Sequence, residues 1–419
     1  MAEPVSGIAQ GLKVGIIGGS IAGCTTAIEL LRLGCEVTLF ERTGEELKDR
    51  GAGIGVPPSV IDTFIKRDLV DADTPYFPSY AFTRLWRTAQ EQRYGYLAWD
   101  QPAQLALLNW GVLYRNLRKR VPNPVYRTEH RVVVLTEQAN ESVRVGLADG
   151  STHLFDLVVC ADGYTSLGRR TLFPEVTIQY AGYVLWRGFI SEKILAESAP
   201  LASGVLCLGY SGGHGIFYFV PGPDGSVDPG KRVVNWGMYI PVEGTLTAFL
   251  TDKEGRVHEG SLPPGAMPIA TETLLKQRAR ERLPDYYAEI VAKSENTFFQ
   301  AIYDCQVPAY RKGRICLVGD AGALARPHSA AGALKSMNDA IALSEALKTH
   351  QSVEEALSHW SKVQTETDNN LVRFGNQLGQ ALVLEIPNWS QMDATSMEQW
   401  FTSIVTIRAE VLSRNPQKN

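Results

Sequence analysis

A glycine-rich turn near the start of the chain could bind a phosphate group. The turn is Gly18-Gly19-Ser20-Ile21-Ala22-Gly23, and it separates an apolar run at 13–17 from a stretch with helical spacing that extends to Leu33. A turn without bulky side chains lets backbone amides approach a pyrophosphate, and the N-terminus of the following helix adds partial positive charge. Ser20 replaces the middle glycine of the usual pattern, and its hydroxyl can itself donate to a phosphate oxygen.

An acidic residue follows at the spacing typical of a dinucleotide-binding turn. The run 36–40 predicts a second strand, and Glu41 comes directly after it, where an acid accepts hydrogen bonds from an adenosine ribose. We therefore predict a dinucleotide site, with an ordinary α/β turn as the alternative. The binding residues that this pattern predicts are Gly18, Ser20, Ile21, Ala22, Gly23, Glu41 and Arg42.

Two further turns that pair glycine with aspartate follow apolar runs far downstream. The run 156–160 leads into Asp162-Gly163, and the run 314–318 leads into Gly319-Asp320. A loop at 326–332 then opens a helix, whose N-terminus could stabilise negative charge on a ring or a phosphate. Alone, Asp162-Gly163 would indicate no more than a simple turn.

The elements that must position these turns belong to an ordinary globular protein. The chain has 419 residues, with 44% hydrophobic and 21% charged side chains, and this length suggests two or three domains. A net charge of -4 without a basic run excludes a typical nucleic-acid binder. The six cysteines form no C-x-x-C pair and the seven histidines are scattered, so we expect reduced thiols and no metal site. With neither a signal peptide nor a long apolar run, we expect a soluble, cytoplasmic protein.

The second half of the chain changes character. Residues 178–240 contain short β-rich runs separated by turn clusters, which predicts an inserted antiparallel sheet. Residues 271–294 predict a helix that is interrupted at Pro284, and 297–303 a returning strand. Helices are predicted after about residue 350.

The three turns, in this order, resemble those of the FAD-dependent aromatic hydroxylases, the class A flavoprotein monooxygenases typified by p-hydroxybenzoate and salicylate hydroxylases. The resemblance extends over residues 13–347, and the stretches 183–188 and 326–332 look like the 2,6-dihydroxypyridine hydroxylase subgroup. It implies that the first turn holds the ADP half of FAD, that Asp162-Gly163 lies near the pyrophosphate, and that Asp320 binds the ribityl chain. The further cofactor-binding residues that it implies are Arg50, Gly53, Trp110, Asp162, Gly163, Gly319, Asp320, Pro327, Ala330, Ala331 and Gly332.

Several positions depart from the family pattern. Ala323 stands where the family often has histidine, and Asn338-Asp339 where it often has Glu-Asp. Ala330-Ala331-Gly332 replaces the common Gly-Gln-Gly, and Trp110 replaces an arginine that contacts the flavin in relatives.

The resemblance implies an α/β fold with a Rossmann-like FAD-binding domain, an inserted antiparallel β-sheet substrate domain and a C-terminal helical region. The segments that we expect are 1–77, 105–177 and 297–349 for FAD binding, 78–104 and 178–296 for the substrate domain, and 350–419 for the C-terminal helices. The sequence holds a single dinucleotide fingerprint, which fits a family whose NADH or NADPH binds transiently without its own domain.

The resemblance also implies the activity. NAD(P)H would reduce FAD, O2 would add to give a flavin hydroperoxide, and its distal oxygen would attack an electron-rich carbon of a small aromatic or heteroaromatic substrate, phenol- or hydroxypyridine-like. We expect a monomer or homodimer. Alternatives are another flavin-dependent oxygenation or oxidation on the same scaffold (Baeyer–Villiger, epoxidation, natural-product tailoring) and a non-catalytic FAD-binding protein.

One histidine is a candidate catalytic residue. His328 lies between the Gly319-Asp320 turn and the flavin-facing loop, so it could deprotonate a substrate hydroxyl; a loop histidine bonded to backbone is the alternative. Arg187 could pair with an anionic substrate or with a core acid. Aromatic side chains on strands are often simply core, but the residues expected to contact the substrate are Trp186, Arg187, Tyr210, Tyr218, Trp236 and Met238.

Overall fold

The computed structural model describes residues 7–44, 53–139, 141–242 and 244–412. Its strands are β1 (Lys13–Ile17), β2 (Glu36–Phe40), β3 (Gly53–Val56), β4 (Phe77–Trp86), β5 (Tyr96–Asn109), β6 (Tyr126–Arg127), β7 (Val132–Glu137), β8 (Val143–Leu147), β9 (Thr152–Phe155), β10 (Leu157–Cys160), β11 (Gln179–Ser191), β12 (Gly204–Tyr210), β13 (Gly213–Val220), β14 (Val233–Pro241), β15 (Ser261–Leu262), β16 (Phe298–Asp304), β17 (Arg311–Lys312) and β18 (Ile315–Leu317). Its α-helices are α1 (Ile21–Arg32), α2 (Pro58–Lys66), α3 (Trp110–Arg120), α4 (Leu167–Leu172), α5 (Leu246–Phe249), α6 (Ile269–Arg282), α7 (Asp285–Lys293), α8 (Gly332–Thr349), α9 (Val353–Gly379) and α10 (Ala394–Leu412).

A six-stranded sheet brings the three glycine turns together. Its strand order is β17-β18-β10-β1-β2-β6, and β18, β10, β1, β2 and β6 run parallel. The turns that follow β1, β10 and β18 therefore leave the same edge of the sheet, because parallel strands end on the same side. The central strands are buried on both faces, which is why they are continuous apolar runs in the sequence.

A nine-stranded sheet forms the second layer. Its order is β15-β16-β11-β14-β13-β12-β4-β5-β3, and every pair is antiparallel except β12 with β4. One face packs against α6 and α7, with residues such as Trp236, Phe217 and Tyr287 in a shared core. The opposite face, which we call the inner face, meets the turn that carries His328.

The predicted fold class is confirmed. The Rossmann-like unit, the inserted β-sheet and the C-terminal helices are all present, and Pro284 separates α6 from α7 as expected. The division into six segments stays a prediction. The nine-stranded sheet also includes β3 and β16, which that division assigned to the FAD-binding segments.

The C-terminal region is more than an appendage, because it packs against the inner face. Helix α9 continues into a π-helical turn at Gln380–Leu384, and the Leu382 carbonyl accepts a hydrogen bond from His214 of β13 at 3.0 Å. Irregular turns of this type often mark functional sites. Throughout the part of the chain that the structure describes, no helix is long and apolar enough to cross a membrane, and no cluster of three metal-ligating residues occurs.

Candidate active site

The first turn requires its glycines for steric reasons. Gly18 has a φ of +100°, and a Cβ atom there would lie 2.4 Å from the Ala161 carbonyl oxygen. A Cβ atom on Gly23 would lie 1.8 Å from the Gly18 carbonyl oxygen. These glycines allow β1, β10 and α1 to approach closely, so that the N-terminus of α1 opens directly above the sheet edge.

Glu41 connects the tip of β2 to this turn. The residue is buried; its Oε2 accepts from the Gly19 backbone N–H at 2.8 Å, and its Oε1 accepts from the Thr43 N–H and hydroxyl, each at 2.9 Å. A carboxylate offers about four acceptor positions, so three donors leave one free. The neighbouring Arg42 side chain is exposed.

The second turn presents a buried oxygen atom that lacks a partner. Asp162 Oδ2 accepts from the Leu167 N–H at 2.6 Å, which ties it to the start of α4. Its Oδ1 atom is buried and has no hydrogen-bond partner among the described residues. Burial raises the pKa of Asp162. Because buried polar atoms are almost always satisfied, Oδ1 points to a ligand donor that belongs in this place.

The third turn is held from behind by a buried ion network. Lys335 of α8 donates from Nζ to the Gly319 carbonyl at 2.8 Å and lies 3.0 Å from Asp339 Oδ2. The same Asp339 oxygen accepts from the Gly319 N–H at 2.7 Å, and Asp368 of α9 lies 3.2 Å from Lys335 Nζ. Although burial opposes it, the two carboxylates raise the pKa of Lys335, so the ammonium group stays charged.

The backbone of the turn is fixed in this way, while the carboxylate of Asp320 accepts no hydrogen bond from the described residues. Burial raises the pKa of Asp320. Arg169, which follows the second turn, donates to the Asp320 carbonyl at 3.0 Å and so links the two turns. The free carboxylate is available to a hydroxyl-bearing ligand.

Strand register separates the expected substrate contacts into two groups. Arg187 and Tyr218 lie on the inner face, together with Tyr239 and Asn235. Side chains alternate between faces along a strand, so the neighbouring positions lie on the opposite face against α6 and α7. The candidates that the register places on that opposite face, and which therefore do not face the turn that carries His328, are Trp186, Tyr210, Trp236 and Met238.

Arg187 has no acid partner among the described residues. Its Nη1 lies 3.5 Å from the Gln300 side-chain oxygen, and its Nε atom is buried without a partner within the described ranges. No ion pair joins Arg187 to a carboxylate in the part of the chain that the structure describes. Burial lowers the pKa of Arg187, in surroundings that include Tyr218 and Tyr239. Of the two alternatives for Arg187, the absence of a core acid favours an anionic ligand.

His328 is positioned by aromatic side chains of the inner face. Its Nε2 lies 2.9 Å from the Tyr183 hydroxyl oxygen, and its ring centroid lies 4.1 Å from that of Tyr239. The Nδ1 atom is buried and lacks a partner among the described residues. Burial, together with the nearby His214 and Arg326, lowers the pKa of His328 well below its usual range. The hydrogen bond of the His328 ring is thus to the Tyr183 side chain and not to the backbone.

Comparison with known proteins agrees with this geometry. A family model described as FAD binding domain-like matches residues 180–304. The 2,6-dihydroxypyridine 3-monooxygenase of Paenarthrobacter nicotinovorans is 27% identical over 84% of this chain and 87% of that protein. The 6-hydroxynicotinate 3-monooxygenase of Pseudomonas fluorescens is 26% identical over 81% of this chain and 84% of that protein. The solved structure of 2,6-dihydroxypyridine-3-hydroxylase from Arthrobacter nicotinovorans has 24% identity and a TM-score of 0.79, and the match covers 89% of this chain and 93% of that chain.

Over most of its length the chain is similar to FAD-dependent aromatic hydroxylases. It is an FAD-dependent monooxygenase, with NAD(P)H as the electron donor. The side chains fit FAD, because Asp162 Oδ1, the Asp320 carboxylate and the last acceptor position of Glu41 each lack, among the described residues, a donor that FAD hydroxyl groups could supply.

The remaining predicted cofactor residues are placed as follows. Gly53 donates its N–H to Asn235 Oδ1 at 3.0 Å, which brings β3 to the inner face of the hydroxylase. Trp110 begins α3 and stacks on Tyr114, with centroids 5.4 Å apart. Ala330 has a φ of +53° in the turn before α8. Arg50 lies outside the described residues. Pro327, Ala331 and Gly332 lie in that same turn or at its junction with α8.

The sequence reasoning missed several residues of the site. Tyr183, His214 and Tyr239 surround His328, and Arg326 contacts Tyr183. A period of two along β11 relates Tyr183 to Arg187, and this signal could have found Tyr183. Nothing local in the sequence distinguishes His214 or Tyr239 from core residues.

The Glu41 carboxylate gives the first testable prediction. Glu41→Ala removes both the contact with the Gly19 N–H and the acceptor for the ribose, so FAD affinity should fall roughly ten- to a hundredfold, or about 1.5–3 kcal/mol. Titration of the apoprotein with FAD measures it. Glu36→Ala, at the exposed start of the same strand, should leave the affinity unchanged. An unchanged affinity in Glu41→Ala would show that this carboxylate does not bind the cofactor.

Proposed function

We propose that this monooxygenase hydroxylates a small aromatic or heteroaromatic ring that bears an ionisable hydroxyl, phenol- or hydroxypyridine-like, and that binds as an anion. The observation that carries the proposal is that Arg187, on the inner face, has a buried Nε atom without a partner and no carboxylate partner among the described residues. Its relatives named for 2,6-dihydroxypyridine and 6-hydroxynicotinate support a hydroxylated nitrogen heterocycle. A cytoplasmic location and a monomeric or homodimeric state are part of the proposal.

The roles of the residues follow from their chemistry. Bound FAD supplies electron storage from NAD(P)H and the activation of O2. Glu41, Asp162 and Asp320 hold that cofactor at the sheet edge, while the inner face holds the ring. Arg187 neutralises the negative charge of the substrate, and His328 promotes the ionised form of its hydroxyl. An ionised hydroxyl makes the ring carbons more electron-rich and hence more reactive toward an electrophilic oxygen.

The aromatic lining of the inner face supports this assignment. Tyr218 and Tyr239 are buried around Arg187, and Asn235 is buried beside them. A ring bound against this lining would be shielded from water, which strengthens the electrostatic contacts around it. The same exclusion would protect the activated oxygen from unproductive release.

The overall proposal is tested by measuring whether NAD(P)H oxidation and O2 consumption are coupled to hydroxylation of a ligand. The purified protein should be yellow, with one non-covalent FAD per chain. A screen of hydroxylated pyridines, phenols and polyketides should find a ligand that stimulates NAD(P)H oxidation. With that ligand, NAD(P)H and O2 should be consumed in equal amounts with one hydroxylated product. A colourless protein that takes up no FAD, or the formation of hydrogen peroxide alone with every ring tested, would contradict it. A lactone, an epoxide or a dehydrogenated product would favour the alternative chemistries.

Arg187 should select for negative charge. In Arg187→Met, the affinity for 6-hydroxynicotinate should fall about ten- to a hundredfold, because a charge-assisted hydrogen bond is lost, while 2-hydroxypyridine, the same ring without the carboxylate, should lose much less. Binding is measured by the change in the flavin absorption spectrum. Arg187→Lys keeps the charge and should retain part of the preference. An affinity for 6-hydroxynicotinate that is unchanged in Arg187→Met would remove Arg187 from substrate recognition.

His328 should matter most at low pH. His328→Ala should slow hydroxylation at near-neutral pH while FAD stays bound, and the deficit should shrink as the pH rises and the substrate ionises unaided. Assistance to proton removal is typically worth about 10²–10⁴-fold. The measurement is product formed per second by the FAD-saturated variant from pH 6 to 9. A rate within about threefold of the parent throughout would exclude His328 from the mechanism, and weaker FAD binding without rescue by pH would indicate a structural role.

A further inference from the structure

We propose that Tyr183 fixes His328 in the tautomer that carries its proton on Nδ1, so that His328 presents a hydrogen-bond donor, and not a proton acceptor, to the substrate. The tautomer follows from the contacts around Tyr183. Only its consequence for the substrate rests on the proposed function.

The argument starts from the single proton of the Tyr183 hydroxyl. Arg326 Nη1 lies 3.3 Å from this oxygen, and a guanidinium group can only donate. The hydroxyl therefore accepts from Arg326, and its own proton needs an acceptor. Among the described residues, the acceptor within hydrogen-bond distance of the Tyr183 hydroxyl is His328 Nε2, at 2.9 Å.

The opposite tautomer would leave a buried proton unsatisfied. If Nε2 carried the histidine proton, both Arg326 and His328 would donate to the Tyr183 oxygen. The Tyr183 proton would then have no acceptor, in a side chain that is 0% exposed. An unsatisfied buried donor carries its full desolvation penalty. With the proton on Nε2, both the Tyr183 proton and the Nδ1 lone pair would lack a described partner. With the proton on Nδ1, the Nδ1 proton alone lacks one, and this is the atom that we place against the ligand. The contacts therefore favour an unprotonated Nε2, with the proton of the neutral ring on Nδ1.

The Arg326 donor is itself held in place. Its Nε and Nη2 atoms both contact Asp304 Oδ2, at 2.9 and 2.7 Å. Helix α9 closes over the pair at Gly379, where a Cβ atom would lie 2.3 Å from the Tyr183 hydroxyl oxygen and 2.7 Å from Arg326 Nη1. This close approach leaves no room for a water molecule on that side that could accept the Tyr183 proton.

The surroundings also keep the His328 ring neutral. The titratable and charged groups that face it are Tyr183 and Tyr239 of the sheet, His214 of β13, and Arg326 with Asp304 behind it. His214 uses Nδ1 on the Leu382 carbonyl, and burial lowers its pKa to about 4. Asp304 is paired with Arg326, so no free carboxylate among these groups supports an imidazolium ion.

A neutral ring with Nδ1–H has a specific use. Its buried, unpartnered Nδ1 donates to an oxygen atom of the ligand and stabilises that atom most when it is an oxyanion. It takes no proton from the ligand; it promotes ionisation of the hydroxyl by stabilising the oxyanion, while the proton itself goes to solvent. The site is then specific for the ionised form of a hydroxylated ring, with Arg187 as the counter-charge.

The tautomer is measured directly by NMR, without a substrate. FAD-loaded protein labelled with 15N-histidine at pH 7.5 should show a His328 ring with a protonated Nδ1 and an unprotonated Nε2, the signal being assigned by its loss in His328→Gln. In Tyr183→Phe the ring should lose this preference and show both tautomers. Tyr180→Phe is the matched control, since it removes a buried hydroxyl without a described partner from the same strand, and should leave the His328 signals unchanged.

The turnover rate of a second variant distinguishes a hydrogen-bond donor at position 328 from a proton acceptor. Glutamine at position 328 can donate but cannot act as a base, so His328→Gln should recover much of the activity that His328→Ala loses. A parent ring protonated on Nε2, a preference that survives in Tyr183→Phe, or a glutamine variant as slow as the alanine variant would each overturn the proposal. Loss of the proposed function would instead appear as a missing hydroxylated product, with the NMR result unaffected.

Discussion

The buried ammonium group of Lys335 joins the parts of this protein that we propose bind the cofactor. It contacts the Gly319 carbonyl of the third turn, Asp339 of its own helix and Asp368 of α9. A charge in this position is tolerable only while its partners stay in place, because an unpaired buried charge is far costlier than the pair. The turn that presents Asp320, helix α8 and helix α9 are therefore positioned together. Since α9 also closes over Tyr183, the same ion network connects the flavin edge with the substrate side.

Much of the flavin side could be predicted from the sequence, because its signals are local. A parallel strand buried on both faces is a continuous apolar run, and the residue after it lies at the carboxyl edge of the sheet. For this reason Glu41, Asp162 and Asp320 lie at one edge, as the three turns predicted. The ion network behind Asp320 could not be predicted in the same way, since Lys335 and Asp368 look like ordinary polar residues of two helices.

The substrate side was only partly predictable, for a different reason. Both faces of β11 carry aromatic side chains, so alternation alone cannot tell Trp186 from Tyr183. The choice depends on which face α6 and α7 cover, and that packing involves residues about a hundred positions downstream. Arg187 was identified because a charge among aromatic residues is unusual. Among the described residues, the side chain that bonds Arg187 is Gln300 and not a carboxylate, which only the structure could show.

The polar groups of the inner face are oriented by contacts within the protein, on the side away from the proposed substrate. Arg326 is held by Asp304 and in turn directs the Tyr183 proton, while the Leu382 carbonyl occupies the donor of His214. Because these contacts exist before any ligand binds, little reorganisation is needed when negative charge enters. Among the described side chains around Tyr239, the buried atoms without a partner are Arg187 Nε and His328 Nδ1, which are both donors in the bonding pattern described above. Donors in these two positions favour an anion over its conjugate acid, so we expect the proposed substrate ring to react with oxygen in its ionised form.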